Sequence, residues 1–227
     1  MTETDLRQDV ATCLKLFEAV GLIDFSGHVS ARIPGSDTML INSRDQSRTG
    51  IEPHNLLQVD FNGQVTGGNG YAPMETPIHT AVYRTRPDVM AVAHIHPANT
   101  IALSAAGKEY VPVIFHGAIF GKRVPVYDDC RHVDTIERGV AMTDALGTGR
   151  AVIIRGHGAT VVGGSVRGVF CAAMYLEDNA RILTQAYSMG TIRPLSDEEL
   201  AEGPRISTEI QFNKVWNYYL AKANGLA

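Results

Sequence analysis

The chain has little of what several protein classes require. Its three cysteines, Cys13, Cys130 and Cys171, are odd in number, far apart and without CxxC spacing. Reduced thiols are therefore expected rather than a disulfide framework. No apolar run approaches the roughly 18 residues of a membrane span, and Met1-Thr2-Glu3-Thr4-Asp5 is acidic where a secretory leader would be basic and then apolar. The expected location is the cytoplasm. The formal charge is −4 and the eight histidines are scattered, so nucleic acid finds no basic stripe and a membrane surface no cationic amphipathic helix. Small soluble molecules are the expected clients. What is present is a chain of 227 residues, 44% hydrophobic and 19% charged, enough for one sizeable core and a single domain over residues 1–227.

Leu6, Val10, Leu14, Phe17 and Val20 recur at helical spacing up to Gly21 and predict an amphipathic helix. Short strands are expected over 29–33, 39–42 and 56–61, with a hairpin turn at Asn62-Gly63 leading into 64–66. Gly67-Gly68-Asn69-Gly70 reads as loop, since no strand-to-helix context makes it a phosphate cradle. A helix is expected from Glu75 to about Tyr83, with Pro77 in its first turn. Beyond it, strands are expected at 92–96, 111–115, 124–127 and 151–155. The helices expected there are 97–106, 134–146, 166–189 and 206–223. Sheet plus flanking helices, with no linker or repeat, predicts a layered α/β domain.

Within the apolar run Val92-Ala93-His94-Ile95-His96-Pro97 two histidines interrupt a strand that otherwise reads as buried. Residues two apart on a strand share a face, with backbones roughly 6–7 Å apart, which is ligand spacing for one metal ion. A third candidate ligand is His157 in Arg155-Gly156-His157-Gly158, where glycines let the backbone approach closely and turn the imidazole inward. Three histidines leave a divalent ion open positions, the pattern of a catalytic Lewis acid rather than a closed structural site. Imidazoles suit zinc, manganese, iron and cobalt alike. Glu75 begins the helix after Pro73-Met74. A carboxylate there is either a cap favoured by the helix dipole or an acid/base beside the metal. His79, four residues on, is a fourth ligand or a hydrogen-bonding partner, and the second reading is preferred.

Phe25-Ser26-Gly27-His28-Val29-Ser30, the segment around Glu75, His94-Ile95-His96 and Arg155-Gly156-His157-Gly158 stand in the order of the class II aldolase/adducin superfamily, which the chain resembles over roughly residues 6 to 190. The resemblance implies one divalent metal ion per subunit on His94, His96 and His157, with Glu75 as catalytic acid/base. It also implies a three-layer α/β/α sandwich with a mainly antiparallel central sheet, and a homotetramer with active sites at subunit interfaces. Tyr218 or Tyr219 is a candidate to cross such an interface.

The departures from the family pattern set a direction. Sugar-phosphate members hold phosphate with a Ser-Gly-Asn-type loop and with hydroxyl or acidic side chains just before the glutamate. Here the loop is Ser26-Gly27-His28, and Pro73-Met74 offers no side-chain donor, although Thr49-Gly50 remains. Arg44 and Arg48 fall near that pocket, either as carboxylate-binding guanidiniums or as parts of a polar surface loop. His28 can donate to a carboxylate or hydroxyl, or bond to backbone. His116 falls where aldolases of the family often carry a tyrosine acid, and is either a proton donor or a packing residue. The chain looks most like the decarboxylase branch, which implies a carbon–carbon lyase acting on a hydroxylated aromatic dicarboxylate such as dihydroxyphthalate or a hydroxypyridine dicarboxylate. The alternatives are an aldolase or 4-epimerase of a ketose phosphate, and a non-catalytic adducin-like binding domain.

Overall fold

Helix α1 (Glu3–Ala19) starts at Thr2, whose hydroxyl accepts the Asp5 N–H while the Asp5 carboxylate accepts the Thr2 N–H. This reciprocal pairing satisfies two of the donors that a helix start leaves unpaired. The computed structural model describes residues 2–225. After α1 the chain lays down β1 (His28–Arg32), β2 (Thr38–Ile41), β3 (Leu57–Asp60) and β4 (Val65–Gly67) as an antiparallel meander. Helix α2 (Thr76–Thr85) then leads to β5 (Ala91–Ile95), which pairs with β1 rather than with a sequence neighbour. Next come α3 (Ala98–Ala105), β6 (Val126–Tyr127), α4 (Ile136–Leu146), β7 (Ala151–Ile154), β8 (Gly158–Gly163), α5 (Val166–Met189), the short α6 (Asp197–Leu200) and α7 (Glu209–Ala223).

The eight strands form one sheet in the order β4-β3-β2-β1-β5-β8-β7-β6, antiparallel except between β6 and β7. Strand alternation divides the core in two. Val29, Ala31, Ala91, Ala93 and Ile95 pack with α1, α3, α5 and α7 on one face. Met39, Ile41, Val59, Val92, Val152 and Ile154 pack with α2 and α4 on the other. The result is the expected α/β/α sandwich. By the same alternation His28 and Ser30 of β1 and His94 of β5 face the α2 layer, and His28 lies directly opposite His94 in register.

Three expectations need correction. Residues 111–115 are not a strand. Asn179 of α5 takes over their backbone groups: its Oδ1 accepts the Val113 and Ile114 N–H groups at 2.8 and 3.2 Å, and its Nδ2 donates to Val111 O at 3.0 Å. A side-chain clamp thus replaces the ladder that the apolar pattern suggests, and a 3-10 turn follows at Phe115–Phe120. Conversely, β8 is a sixth buried run, Gly158 to Gly163, absent from the expected strands. The last helix begins at Glu209, behind a 3-10 turn at Gly203–Ile206. Among the described residues no helix is long and apolar enough to cross a membrane.

Candidate metal centre

His94 is fully buried on β5. His96 stands just past the strand end, where its N–H donates to Leu22 O at 2.8 Å. His157 lies in the three-residue turn joining β7 to β8, whose middle residue Gly156 has φ +65°, the left-handed glycine that such hairpins use. Gly158 serves differently. A Cβ there would lie 2.5 Å from Ile95 O and 3.0 Å from the His96 ring, so only glycine lets β8 press His157 against the other two histidines.

The three side chains converge. One ring nitrogen from each lies within 4.8 Å of the others, and the Nε2 atoms of His94 and His96 are 3.2 Å apart. A tetrahedral site with bonds of roughly 2.0–2.1 Å has ligand–ligand edges of roughly 3.3 Å, so this spacing suits one ion. The tautomer of His96 also fits. Ser26 Oγ donates to Asp24 Oδ1 at 2.9 Å and therefore accepts from His96 Nδ1 at 3.3 Å, leaving the His96 Nε2 lone pair turned to the cluster. Burial lowers the pKa of His96, and lowers that of His94 well below the ordinary value, so both are neutral near pH 7, the form in which an imidazole could hold a metal ion. His94 Nδ1 and His157 Nδ1 are buried without hydrogen-bond partners.

Glu75 is the N-cap residue of α2 yet makes no capping bond with its side chain. Its Oε1 accepts the Val133 N–H at 2.9 Å. Its Oε2 lies 3.4 Å from His94 Nε2 and 3.8 Å from His28 Nε2, and Oε1 is 3.7 Å from His157 Nε2. Burial opposes its ionisation, but the His28 and His94 rings and the Val133 N–H outweigh burial and hold the carboxyl well below its usual range. Glu75 is therefore a buried anion beside His94, a charge that a divalent cation would balance. His132 also reaches this site, with Nδ1 3.6 Å from Glu75 Oε1 and its ring 5.3 Å from that of His157. No spacing pattern announces it; the loop between β6 and α4 folds back to bring it in, held by Arg138 Nη1 on the His132 carbonyl.

The remaining candidates divide. Ser26 and Gly27 (φ +91°) form the turn entering β1, where a Cβ on Gly27 would lie 2.6 Å from Ile23. His28 reaches the cluster beside Glu75. Arg48 is buried and donates to the carbonyls of Gly27, Ser43 and Gln46. Arg44 is exposed, pairs with Asp45 at 3.4 Å and stacks on Tyr71. Both arginines, with Asp24, Gln46 and Ser47, line an open cleft of about 570 Å³. His116 does not join the cluster; it stacks face to face on Tyr175, ring centres 4.2 Å apart. His79 is fully buried and hydrogen-bonded to His28 and Ser30. Tyr219 packs on Phe170 of its own chain, whereas Tyr218 is exposed.

The α/β/α sandwich thus gathers three histidines and a carboxylate at one end of its central strands, in a group that could hold a metal ion. Comparison with known proteins names the family. The chain belongs to the class II aldolase and adducin N-terminal domain family, whose model matches residues 8–184. It is 33% identical to a 3,4-dihydroxyphthalate decarboxylase of Rhodococcus jostii (strain RHA1), over 98% of this chain and 99% of that one. It is 31% identical to another from Arthrobacter keyseri, over 98% and 95%. The fold is that of the class II aldolases: an L-fuculose 1-phosphate aldolase from Glaciozyma antarctica PI12 superposes with TM-score 0.87 at 20% identity, covering 99% of this chain and 90% of that one. The chain is an enzyme of the lyase class.

Proposed function

We propose that the protein is a divalent-metal-dependent decarboxylase of a hydroxylated aromatic dicarboxylate. The observation that carries this reading is the meeting of His94, His96, His157 and Glu75 at one point in a chain that matches 3,4-dihydroxyphthalate decarboxylases almost from end to end. His94, His96 and His157 would hold the divalent ion, which would supply Lewis-acid chemistry at a substrate oxygen. Glu75, ionised at rest, accepts the proton of the substrate hydroxyl as it binds. It then returns that proton to the ring carbon that loses carbon dioxide, so the electron pair of the broken C–C bond ends in a C–H bond. Arg44, exposed in the cleft that Arg48 also lines, suits the second carboxylate and orients the ring, while Arg48 braces the Gly27 turn through its backbone carbonyl. Val133 N–H holds Glu75 against His94 and His157, where it can serve as the acid/base. His116 is not needed for this route within one chain.

Assembly into a homotetramer is part of the same reading. It is supported by apolar side chains left exposed near the site, Phe25 at 87%, Tyr71 and Met74. The test is carbon dioxide release from a panel of dihydroxyphthalates and hydroxypyridine dicarboxylates, with and without EDTA, beside aldehyde release from ketose phosphates. Carbon dioxide that stops with EDTA and returns with metal supports the proposal. Aldehyde from a ketose phosphate, with no carbon dioxide from any dicarboxylate, overturns it in favour of an aldolase.

A further inference from the structure

Behind Glu75 runs a line of four polar side chains that the chemistry above does not use. His28 Nδ1 lies 2.7 Å from His79 Nε2, His79 Nδ1 lies 2.6 Å from Ser30 Oγ, and Ser30 Oγ lies 2.8 Å from the Tyr83 hydroxyl. All four are buried: His28 is 4% exposed, Ser30 and His79 0%, Tyr83 2%. Buried polar groups are hydrogen-bonded, and these four find their partners in one another.

We propose that this line has one direction, Tyr83 to Ser30 to His79 to His28. It fixes the His28 proton on Nε2, facing Glu75, and makes His79, Ser30 and Tyr83 positioning residues for Glu75. Elimination carries the assignment. Each imidazole contributes one proton in its neutral form, so the two gaps flanking His79 must be filled in the same sense. Run toward Tyr83, the line ends on a phenol whose own proton has no acceptor among the described residues, since Ser30 Oγ is its hydrogen-bond partner. It would also turn the bare Nε2 lone pair of His28 toward the Glu75 carboxylate 3.8 Å away. Run from Tyr83, every proton within the line finds an acceptor, and the last, on His28 Nε2, lies on the side of that carboxylate at the electrostatic distance of 3.8 Å rather than in a hydrogen bond. Burial raises the phenol pKa, so Tyr83 keeps the proton that starts the line.

The direction has a consequence for the metal. Ring nitrogens of His28 and His94 also group with Glu75 at ligand spacing. A nitrogen that carries a proton is not a ligand, so the ion is left to His94, His96 and His157 while His28 steadies Glu75. The assignment deepens the decarboxylase reading but is read out independently of it.

Neutron diffraction from the deuterated protein locates the protons. Deuterium on Nε2 of both His79 and His28 is expected; deuterium on Nδ1 of either ring overturns the proposal. That result stands whichever substrate the enzyme turns over. On the substrate identified by carbon dioxide release, His79→Leu is expected to lower kcat by about tenfold or more, as partners behind a metal site do, with KM and metal content held. His79→Gln, whose amide donates to His28 and accepts from Ser30, should restore most of that loss. An unchanged kcat in His79→Leu, or no restoration by His79→Gln, overturns the positioning role.

Discussion

The Glu75 carboxylate bonds to the backbone N–H of Val133, 58 residues away, and not to the helix it begins. A carboxylate at a helix start is ordinarily explained by the dipole. Here that explanation fails, because the bond to Val133 pulls the side chain away from the first turn and against His94 and His157. Position in the chain and role in the site are thus separate for this residue, and substitution can separate them.

Glu75→Gln keeps an oxygen for Val133 N–H and keeps the volume, but removes the charge and the proton-accepting group. Turnover should fall by about 10²–10⁴, the range of a lost general acid/base. The three histidines remain, so metal bound per chain should stay near that of the parent. Steady-state kinetics beside elemental analysis check this, and parallel loss of metal and rate would make Glu75 a ligand first.

Stability should depend on pH through the buried histidines. Burial lowers the pKa of His28 and takes His79 and His94 well below the ordinary 6.5. The unfolded chain therefore binds more protons than the folded one once pH drops below about 6.5, and stability falls with it. Above that value these groups contribute no slope. Glu75 has the same sign but acts only below the ordinary carboxyl range, where the unfolded chain takes up a proton that the folded one refuses. Melting of the EDTA-treated protein should show Tm level from pH 8 to 7 and falling from 6.5 to 5. A flat profile would mean that these imidazoles are protonated in the folded state.

Ser26→Ala tests the tautomer of His96. Without the hydroxyl that accepts from Nδ1 and passes its own proton to Asp24, the ring loses the partner that keeps Nε2 bare. Metal affinity should weaken by about 10–100-fold, measured by competition with a chromogenic chelator, while the fold is held.

Much of this was legible in the residues. Period-two alternation puts His94 on one face of β5, whereas the expected first strand begins at Val29 and leaves out His28, which the structure places opposite His94. His157 was marked by its glycines, and His79 by its helical spacing from Glu75. The rest depends on long-range contacts that leave no local pattern. Val111 to Phe115 looks like a strand because its side chains are apolar, but Asn179 decides where its backbone bonds go. His132 is an exposed loop residue with no periodicity, and only the return of that loop to Glu75 gives it a place. For Arg48 the residues leave open a carboxylate-binding guanidinium or a polar surface loop, and no local pattern tells that its side chain is buried on three carbonyls.

The two glycines around His157 make a paired prediction, because each is needed for a different reason. Gly156 has φ +65°, but a Cβ there would meet nothing nearer than Cys130 Cβ at 4.0 Å. Gly156→Ala should therefore cost only the backbone strain of the left-handed conformation, about 1–2 kcal/mol, and Gly156→Asn less, since asparagine tolerates that region. Gly158 has no such backbone demand, yet its Cβ would sit 2.5 Å from Ile95 O and 3.0 Å from the His96 ring. Gly158→Ala must push β8 off β5, in a sheet centre that does not yield, at a cost of about 1–3 kcal/mol, and His157 moves with it. Melting temperatures should fall in both alanine variants, but metal binding should weaken mainly in Gly158→Ala. Equal loss of metal in the two would mean that the turn's conformation, and not the close approach of β8, holds His157 in place.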